Sequence, residues 1–260
     1  MEIWSDLFRD IGRYFLLTAR FSGIGFIPVF SMRNVPVRWR AAFVMIVAFL
    51  GWQAGFTEHY TVNAFSFAFY TDLFAELILG MSLALVVHFV FAGLQMAGQV
   101  MDTQMGFGIV NVIDPITGTS APLLGNFQYI LAMFIFLNLD GHVQILQALQ
   151  SSYEFIPAGA VDVFRTGSLT WYFINMFGGI FLTGFRLASP IMASLLITDF
   201  VLGFITRTVP QLNVFMVSLP IKILLGFVFL FLLIPFYIIV FNQLMNQLFE
   251  QVMQAIRVLS

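Results

Sequence analysis

Cysteine is absent from the 260-residue sequence, and charged residues make up only 9% of it. The absence of cysteine excludes disulfides, thiolate metal sites and cysteine nucleophiles. The three histidines, His59, His88 and His142, lie far apart and lack the spacing of metal ligands. The net charge is −2 and no run of lysine or arginine is present, so the basic stripe that tracks nucleic-acid phosphates is missing. We therefore expect no cofactor, no metal site and no nucleic-acid partner.

Apolar residues dominate instead, at 60% of the chain. An ordinary soluble domain carries about 25% charged residues, so this chain lacks a soluble domain's polar surface. A membrane-crossing helix needs about 20 apolar residues, and we expect a lipid partner for stretches of that length. The charge-free stretches are residues 21–32, 41–57, 77–101, 115–139, 166–185 and 223–249, of which four reach that length. The pattern predicts an all-α, multi-pass integral membrane protein with a single domain over residues 1–260.

Prolines and charges interrupt these apolar stretches. Proline removes a backbone donor and kinks or ends a helix, so Pro235 is predicted to divide the stretch 223–249. A charge in hydrocarbon costs at least about 2.5–3.5 kcal/mol, so charged residues there usually face protein or water. Such charges recur between residues 166 and 223, at Arg186, Asp199, Arg207 and Lys222. The sequence therefore predicts kinked or broken helices that pack against partners.

The charges between the predicted spans give a weak indication of topology. Arg33, Arg38 and Arg40 cluster after the first stretch, whereas residues 58–76 are rich in acids. The positive-inside rule places the arginine-rich loop in the cytoplasm and the N-terminus on the other side.

Residues 101–122 form the most unusual segment, because a glycine-rich and apolar sequence lies between two long apolar stretches. It contains Gly106-Phe107-Gly108, the apolar residues 109–113 and then Asp114-Pro115. Glycine permits conformations that other residues resist, and the residue before proline is pushed toward extended backbone. The segment is either an ordinary tight loop between helices or a re-entrant loop that seals a pore. Capping or loop hydrogen bonds are the favoured role for Asp102 and Asp114, because no nucleophile, metal cluster or phosphate loop accompanies them.

Polar side chains recur at helical spacing in three places. Gln95, Gln99 and Thr103 lie on one face of a helix, because they are spaced four residues apart. Gln144, Gln147 and Gln150 mark a short amphipathic helix, and similar rows with Leu244, Leu248 and Val252 beside them follow near residue 250. These rows indicate either polar helix ends at the membrane surface or faces that meet other helices or a wet conduit.

Two separated motifs resemble those of the FliR family of flagellar biosynthetic proteins and their counterparts in virulence type III secretion. The first is LQMAGQVMDTQMGFGIVNVIDP, residues 94–115, and the second is RTVPQLNVFMVSLPIKILLGF, residues 207–227. Length, acidic N-terminus and hydropathy profile agree from end to end. The resemblance implies a non-enzymatic subunit of the export gate in the bacterial inner membrane, at the flagellar basal body.

The resemblance also implies partners and a division of the chain. FliR assembles with FliP and FliQ, is contacted by FlhB, and together they form a helical funnel through which unfolded flagellar subunits leave the cytoplasm. Residues 1–165 would correspond to a FliP-like portion. Residues 166–260 would correspond to a FliQ-like helical hairpin followed by an amphipathic helix.

Site residues follow from the same resemblance. The family's loop over residues 106–122 acts as a plug, which would assign pore sealing to Gly106, Phe107, Gly108, Ile109, Val110, Asn111, Val112, Ile113, Asp114 and Pro115. The residues that would line or support the pore are Gln95, Gln99 and Met105. The residues that would hold the hairpin against neighbouring subunits are Pro210, Gln211, Asn213, Phe215, Pro220 and Lys222.

Two other functions are compatible with parts of the pattern. A secondary transporter for a small solute would also have broken helices and intramembrane charges, although no inverted repeat is evident. An intramembrane enzyme would need a nucleophile with a base, and Ser168, Ser189, Ser194 and Ser218 have no histidine at motif spacing. No Walker motif is present, so the energy for export must come from another protein.

Overall fold

The fold is that of a computed structural model, which describes residues 2–30, 35–57, 60, 66–107, 122–160, 166–209, 211 and 213–259. Every regular element in these residues is helical, which confirms the all-α prediction. The α-helices are α1 (Glu2–Phe21), α2 (Val37–Gln53), α3 (Phe67–Met105), α4 (Leu123–Asn138), α5 (Gly141–Phe155), α6 (Thr166–Thr208) and α7 (Val214–Leu259). A short 3₁₀ helix, Ser22–Phe26, continues α1.

Three of these helices are long and apolar enough to cross a membrane: α3, the Thr170–Thr208 part of α6 and the Met216–Arg257 part of α7. Helices α4 and α5, with a bend of 66° between them, are together long and apolar enough to form one more span. The described residues therefore contain up to four spans. Each of these regions overlaps one of the four longest charge-free stretches of the sequence. The chain is therefore an all-α integral membrane protein.

The prolines do not break the last two helices. Helix α6 runs through Pro190, and α7 runs through both Pro220 and Pro235. The predicted division of the stretch 223–249 at Pro235 is therefore wrong. A proline removes one donor and frees one carbonyl, and the remaining backbone bonds on either side keep the helix continuous.

The chain folds as two compact units, each built from separate stretches of sequence. Unit 1 contains Met1–Val90, Phe136–Phe177 and Met245–Ser260, and unit 2 contains Phe91–Ile135 and Gly178–Leu244. Helices α3, α6 and α7 each contribute residues to both units. The family resemblance implies a different division, into two continuous portions that meet near residue 165, and this division stays a prediction.

Unit 1 is centred on a buried ion pair between α1 and α3. The side chains of Arg20 and Glu76 are both fully buried, and the guanidinium donates to both carboxylate oxygens through Nε and Nη2. Arg20 Nη1 also donates to Ser152 Oγ at 3.1 Å and to the carbonyl of Ile156 at 3.0 Å. The guanidinium carbon lies 3.7 Å from the ring centroid of Tyr153. Every charge at this site therefore has hydrogen-bonding partners, as a buried ion pair requires.

Two glycines let α3 approach the end of α1 closely enough for this pair to form. A Cβ atom on Gly23 would overlap the carbonyl of Gly80, and one on Gly80 would overlap the carbonyl of Arg20. Glycine is required here for close backbone approach rather than for an unusual φ.

Tyr60, which lies between α2 and α3 in the sequence, is held in unit 1 by hydrogen bonds with Asp72 and Arg13. Its hydroxyl donates to Asp72 Oδ2 at 2.7 Å, and its carbonyl accepts from Arg13 Nη2 at 3.2 Å. Burial and the neighbouring Asp72 carboxylate raise the pKa of the Tyr60 hydroxyl above its usual value, so the phenol stays neutral.

The C-terminal part of α7 is amphipathic, as its sequence rows predict. Leu248 and Val252 are buried in unit 1, whereas Gln243, Asn246 and Gln247 are exposed. Helix α5 likewise buries Ile145, Ala148 and Leu149 and exposes Gln147 and Gln150.

Helices α6 and α7 pair antiparallel, which confirms the predicted helical hairpin. In unit 2, Lys222 Nζ lies 2.5 Å from Asp199 Oδ1, and the hydroxyl of Tyr237 donates to the carbonyl of Leu187 at 3.0 Å. In unit 1, the hydroxyl of Tyr172 donates to the carbonyl of Gln251 at 2.6 Å. Residues later in α7 thus contact residues earlier in α6.

Candidate functional site

The end of α3 is a specific helix stop, and Gly106 makes it possible. Gly106 has a φ of 89°, its N–H donates to the carbonyl of Thr103 at 3.2 Å, and the N–H of Phe107 donates to the carbonyl of Asp102 at 3.0 Å. This pair of bonds is the Schellman motif, which needs a residue in the left-handed conformation and so favours glycine. Gly106 was predicted as part of a plug, and its described role is to end α3.

The residues on either side of this glycine pack against α7. Met105 is fully buried, and a Cβ atom on Gly226 would overlap its thioether end. The ring of Phe107 meets that of Phe227 edge to face, with centroids 6.3 Å apart. The start of the predicted plug segment is therefore held on α7. Its other members, Gly108, Ile109, Val110, Asn111, Val112, Ile113, Asp114 and Pro115, lie outside the described residues.

Asp102 connects the end of α3 to the start of α4. Its side chain is buried, and its carboxylate accepts from the N–H of Leu124 at 3.0 and 3.1 Å and from the N–H of Gly125 at 3.2 Å. These donors belong to the first turn of α4, where N–H groups have no partner inside the helix. The predicted capping role of Asp102 is thus confirmed, and its partner lies 22 residues further along the chain. Asp114 lies outside the described residues.

The α3–α4 contact beside Asp102 is a close approach of two backbones. A Cβ atom on Gly98 would overlap the backbone of Gly125, and one on Gly125 would lie 3.1 Å from the carbonyl oxygen of Gln95. Two members of the predicted row, Gln95 and Gln99, therefore border α4. Gln95 is half-buried and Gln99 is exposed, and their role in a pore stays a prediction.

The predicted interface residues lie at and beyond the turn between α6 and α7. Gln211 and Asn213 are exposed in this connection, and Pro220 is exposed on α7. Lys222 is partly buried through its ion pair with Asp199. Phe215 belongs to the first turn of α7, and Pro210 lies outside the described residues. The structure thus brings four of the six predicted positions onto α7 or its immediate start, and their contact with other subunits stays a prediction.

Sequence reasoning missed the partners of two buried charges. It interpreted the acids of residues 58–76 as loop charges, although Glu76 lies within α3 and pairs with Arg20. Over the part of the chain that the structure describes, no group of three or more acidic or histidine side chains is arranged to hold a metal ion. Fold and site together define a helical membrane protein in which the buried carboxylate of Asp102 joins the end of α3 to the start of α4.

Comparison with known proteins places this membrane protein in an export family. The family described as "Bacterial export proteins, family 1" matches residues 11–248, and the chain belongs to this family, which is one of export-apparatus subunits rather than enzymes. Flagellar biosynthetic protein FliR of Bacillus subtilis (strain 168) is 35% identical over 212 residues, which are 78% of this chain and 78% of that protein. FliR of Escherichia coli (strain K12) is 27% identical over 86% of this chain and 84% of its own length. The surface presentation of antigens protein SpaR of Shigella flexneri is 31% identical over 63% of this chain and 62% of its own length.

Proposed function

We propose that this protein is a non-enzymatic core subunit of the flagellar type III secretion export gate. With FliP and FliQ, and in contact with FlhB, it forms the inner-membrane channel at the basal body through which unfolded flagellar proteins are exported. The observation that carries the proposal is the 35% identity to a FliR protein over 78% of both chains, within a family match that spans residues 11–248.

The exposed apolar surface supports a role inside an assembly. In the most apolar windows of α6 and α7 only 22% and 17% of residues are buried within the chain, against 61% for α3. Helix α7, with 46 residues, is about 69 Å long, more than twice the roughly 30 Å of bilayer hydrocarbon. Lipid can cover only part of such a long apolar surface, so we propose that other protein subunits bury the rest. Gln211, Asn213, Phe215, Pro220 and Lys222, together with Pro210, are our proposed contacts.

Within this gate, residues 106–115 form the plug of the closed channel, and Gln95, Gln99 and Met105 line or support it. The apolar sequence of residues 109–113 suits a seal against water and ions. The described residues at the ends of the segment are held in place: Met105 and Phe107 pack on α7, and Asp102 of α3 is hydrogen-bonded to the start of α4. These contacts support a plug whose two ends are fixed.

The test of the assembly is purification of a tagged full-length chain from its native membranes in mild detergent, followed by mass spectrometry. We expect FliP and FliQ in one stable particle. Recovery of the corresponding virulence-system subunits would favour the second candidate, a virulence secretion gate, for which the 31% identity to SpaR speaks. A chain that is purified alone would refute the gate and favour a small-solute transporter.

The test of the plug is deletion of residues 107–113 in the assembled complex. We expect the membrane to conduct ions in cells that produce this variant, because the apolar seal is removed. Ion conductance equal to that of the unmodified complex would refute the plug assignment while leaving membership of the gate intact.

A further inference from the structure

The carboxylate of Asp102 is buried without a cationic partner among the described residues. It is 5% exposed and makes all of its described hydrogen bonds to the backbone N–H groups of Leu124 and Gly125. Its charge is therefore balanced by the free N–H groups and the positive dipole end of α4. A buried carboxylate without such donors is costly, so Asp102 and the first turn of α4 depend on each other.

Close packing beside Asp102 makes this contact sensitive to small movements. Gly98 lies one turn before Asp102, and its backbone is in direct contact with that of Gly125. A shift of α4 by one or two ångströms would lengthen all three hydrogen bonds at once, because they converge on one carboxylate. The three hydrogen bonds are therefore weakened together.

We infer that Asp102 is a positioning residue of the gate, which holds the first turn of α4 against α3 and thereby fixes the spacing of the two stems of the plug segment. One stem ends at Phe107, whose ring packs on Phe227 of α7, and the other begins at Leu123. The inference rests on the proposed function for its effect on the channel, whereas the contact between Asp102 and α4 is testable without it.

The first experiment measures the contact itself in the full-length chain in native membranes. The chain contains no cysteine, so a single introduced cysteine reports on one position. Leu124→Cys and Ala132→Cys both place a thiol at a buried position of α4, in its first turn and two turns further on. We expect Asp102→Asn to raise the maleimide labelling rate at position 124 about tenfold, because the amide keeps one acceptor oxygen and loses the charge. We expect no change at position 132.

Two outcomes of this labelling experiment would overturn the inference. An unchanged rate at position 124 would show that the carboxylate does not hold the first turn. Equal acceleration at positions 124 and 132 would show that Asp102 stabilises all of α4 rather than positioning its start. Asp102→Glu keeps the carboxylate, and we expect it to retain slow labelling at position 124, which separates loss of charge from loss of fold.

The second experiment measures ion leakage through the assembled complex. Asp102→Asn is expected to leak at least fivefold more than the control Asp140→Asn, and less than the deletion of residues 107–113. Asp140→Asn makes the same chemical change at an exposed residue with a φ of 53°, a conformation that asparagine adopts readily. Leakage in the deletion variant without leakage in Asp102→Asn would overturn the positioning role and leave the plug intact. If the deletion variant does not leak, the plug fails, and the labelling contrast alone decides the role of Asp102.

Discussion

Two buried carboxylates on α3 are held in different ways. Glu76, in unit 1, accepts two hydrogen bonds from the Arg20 guanidinium and a third from the N–H of Gly159 at 3.0 Å. Asp102, in unit 2, accepts three hydrogen bonds from described residues, and these come from the backbone at the start of α4. One carboxylate is balanced by a full positive charge, the other by a helix end that carries about half a charge.

The difference shows that α3 carries one contact that fixes the fold of unit 1 and another that holds only the start of α4. The Arg20–Glu76 pair contacts Ser152, Tyr153 and Ile156 as well, so its loss would affect several segments of unit 1 together. Among the described residues, the side chain of Asp102 bonds to one turn of one helix, so these bonds are lost when that turn moves. The first arrangement fixes a fold, and the second permits a local change while the rest of the unit stays folded.

Breaking the ion pair should have the largest effect. Arg20→Met removes the cation and leaves Glu76 buried with only the N–H of Gly159 as a described donor. We expect a loss of about 3–5 kcal/mol in the free energy of unfolding, because an unpaired buried charge costs its full desolvation. Denaturant unfolding in mild detergent measures this. The double variant Arg20→Met with Glu76→Gln should recover part of the loss, and a double variant no better than Arg20→Met would contradict the pairing.

Forcing α3 and α4 apart should have an intermediate effect. Gly98→Ala places a Cβ atom against the backbone of Gly125, and we expect overpacking to cost about 1–3 kcal/mol in stability. Labelling of Leu124→Cys should accelerate as it does in Asp102→Asn. The matched control is Gly203→Ala, a helical glycine with no atom within 4 Å of its added Cβ, which should stabilise α6 slightly. Equal stability of the two alanine variants would argue against a close α3–α4 contact.

The smallest effect is expected at the ion pair between Lys222 and Asp199. The Asp199 side chain is 41% exposed, so this pair is less enclosed than Arg20–Glu76, whose side chains are both fully buried, even though its atoms lie 2.5 Å apart. Lys222→Met should therefore change the free energy of unfolding by less than about 1 kcal/mol. Its larger effect should be on co-purification of partner subunits, which the tagged complex reports. A loss of stability as large as that of Arg20→Met would show that the pair is shielded from solvent.

Features set by local sequence were predictable, and features set by distant contacts were not. The long apolar stretches predicted membrane-spanning helices in the regions of α3, α6 and α7, because helical spans depend on composition over about 20 residues. Asp102 was predicted as a cap from its residue type, but its partner became evident only from the fold. The pairing of Arg20 with Glu76 joins residues 56 positions apart and depends on Gly23 and Gly80 meeting. Pro235 misled prediction because the effect of a proline depends on whether the flanking turns keep their bonds.

The two units are interleaved along the chain, and this has a consequence for biosynthesis. Unit 1 joins Met1–Val90 to Met245–Ser260, so its first residues must wait for translation to pass residue 244 before they find all of their partners. Each passage between the units lies within a helix, at residues 90–91, 177–178 and 244–245, or at 135–136 inside α4, whereas ordinary domain boundaries lie in flexible linkers. Neither unit can therefore fold completely before most of the chain has been translated. The charged side chain of Arg20 lacks its hydrogen-bond acceptors Ser152 and Ile156 until those residues have been synthesised.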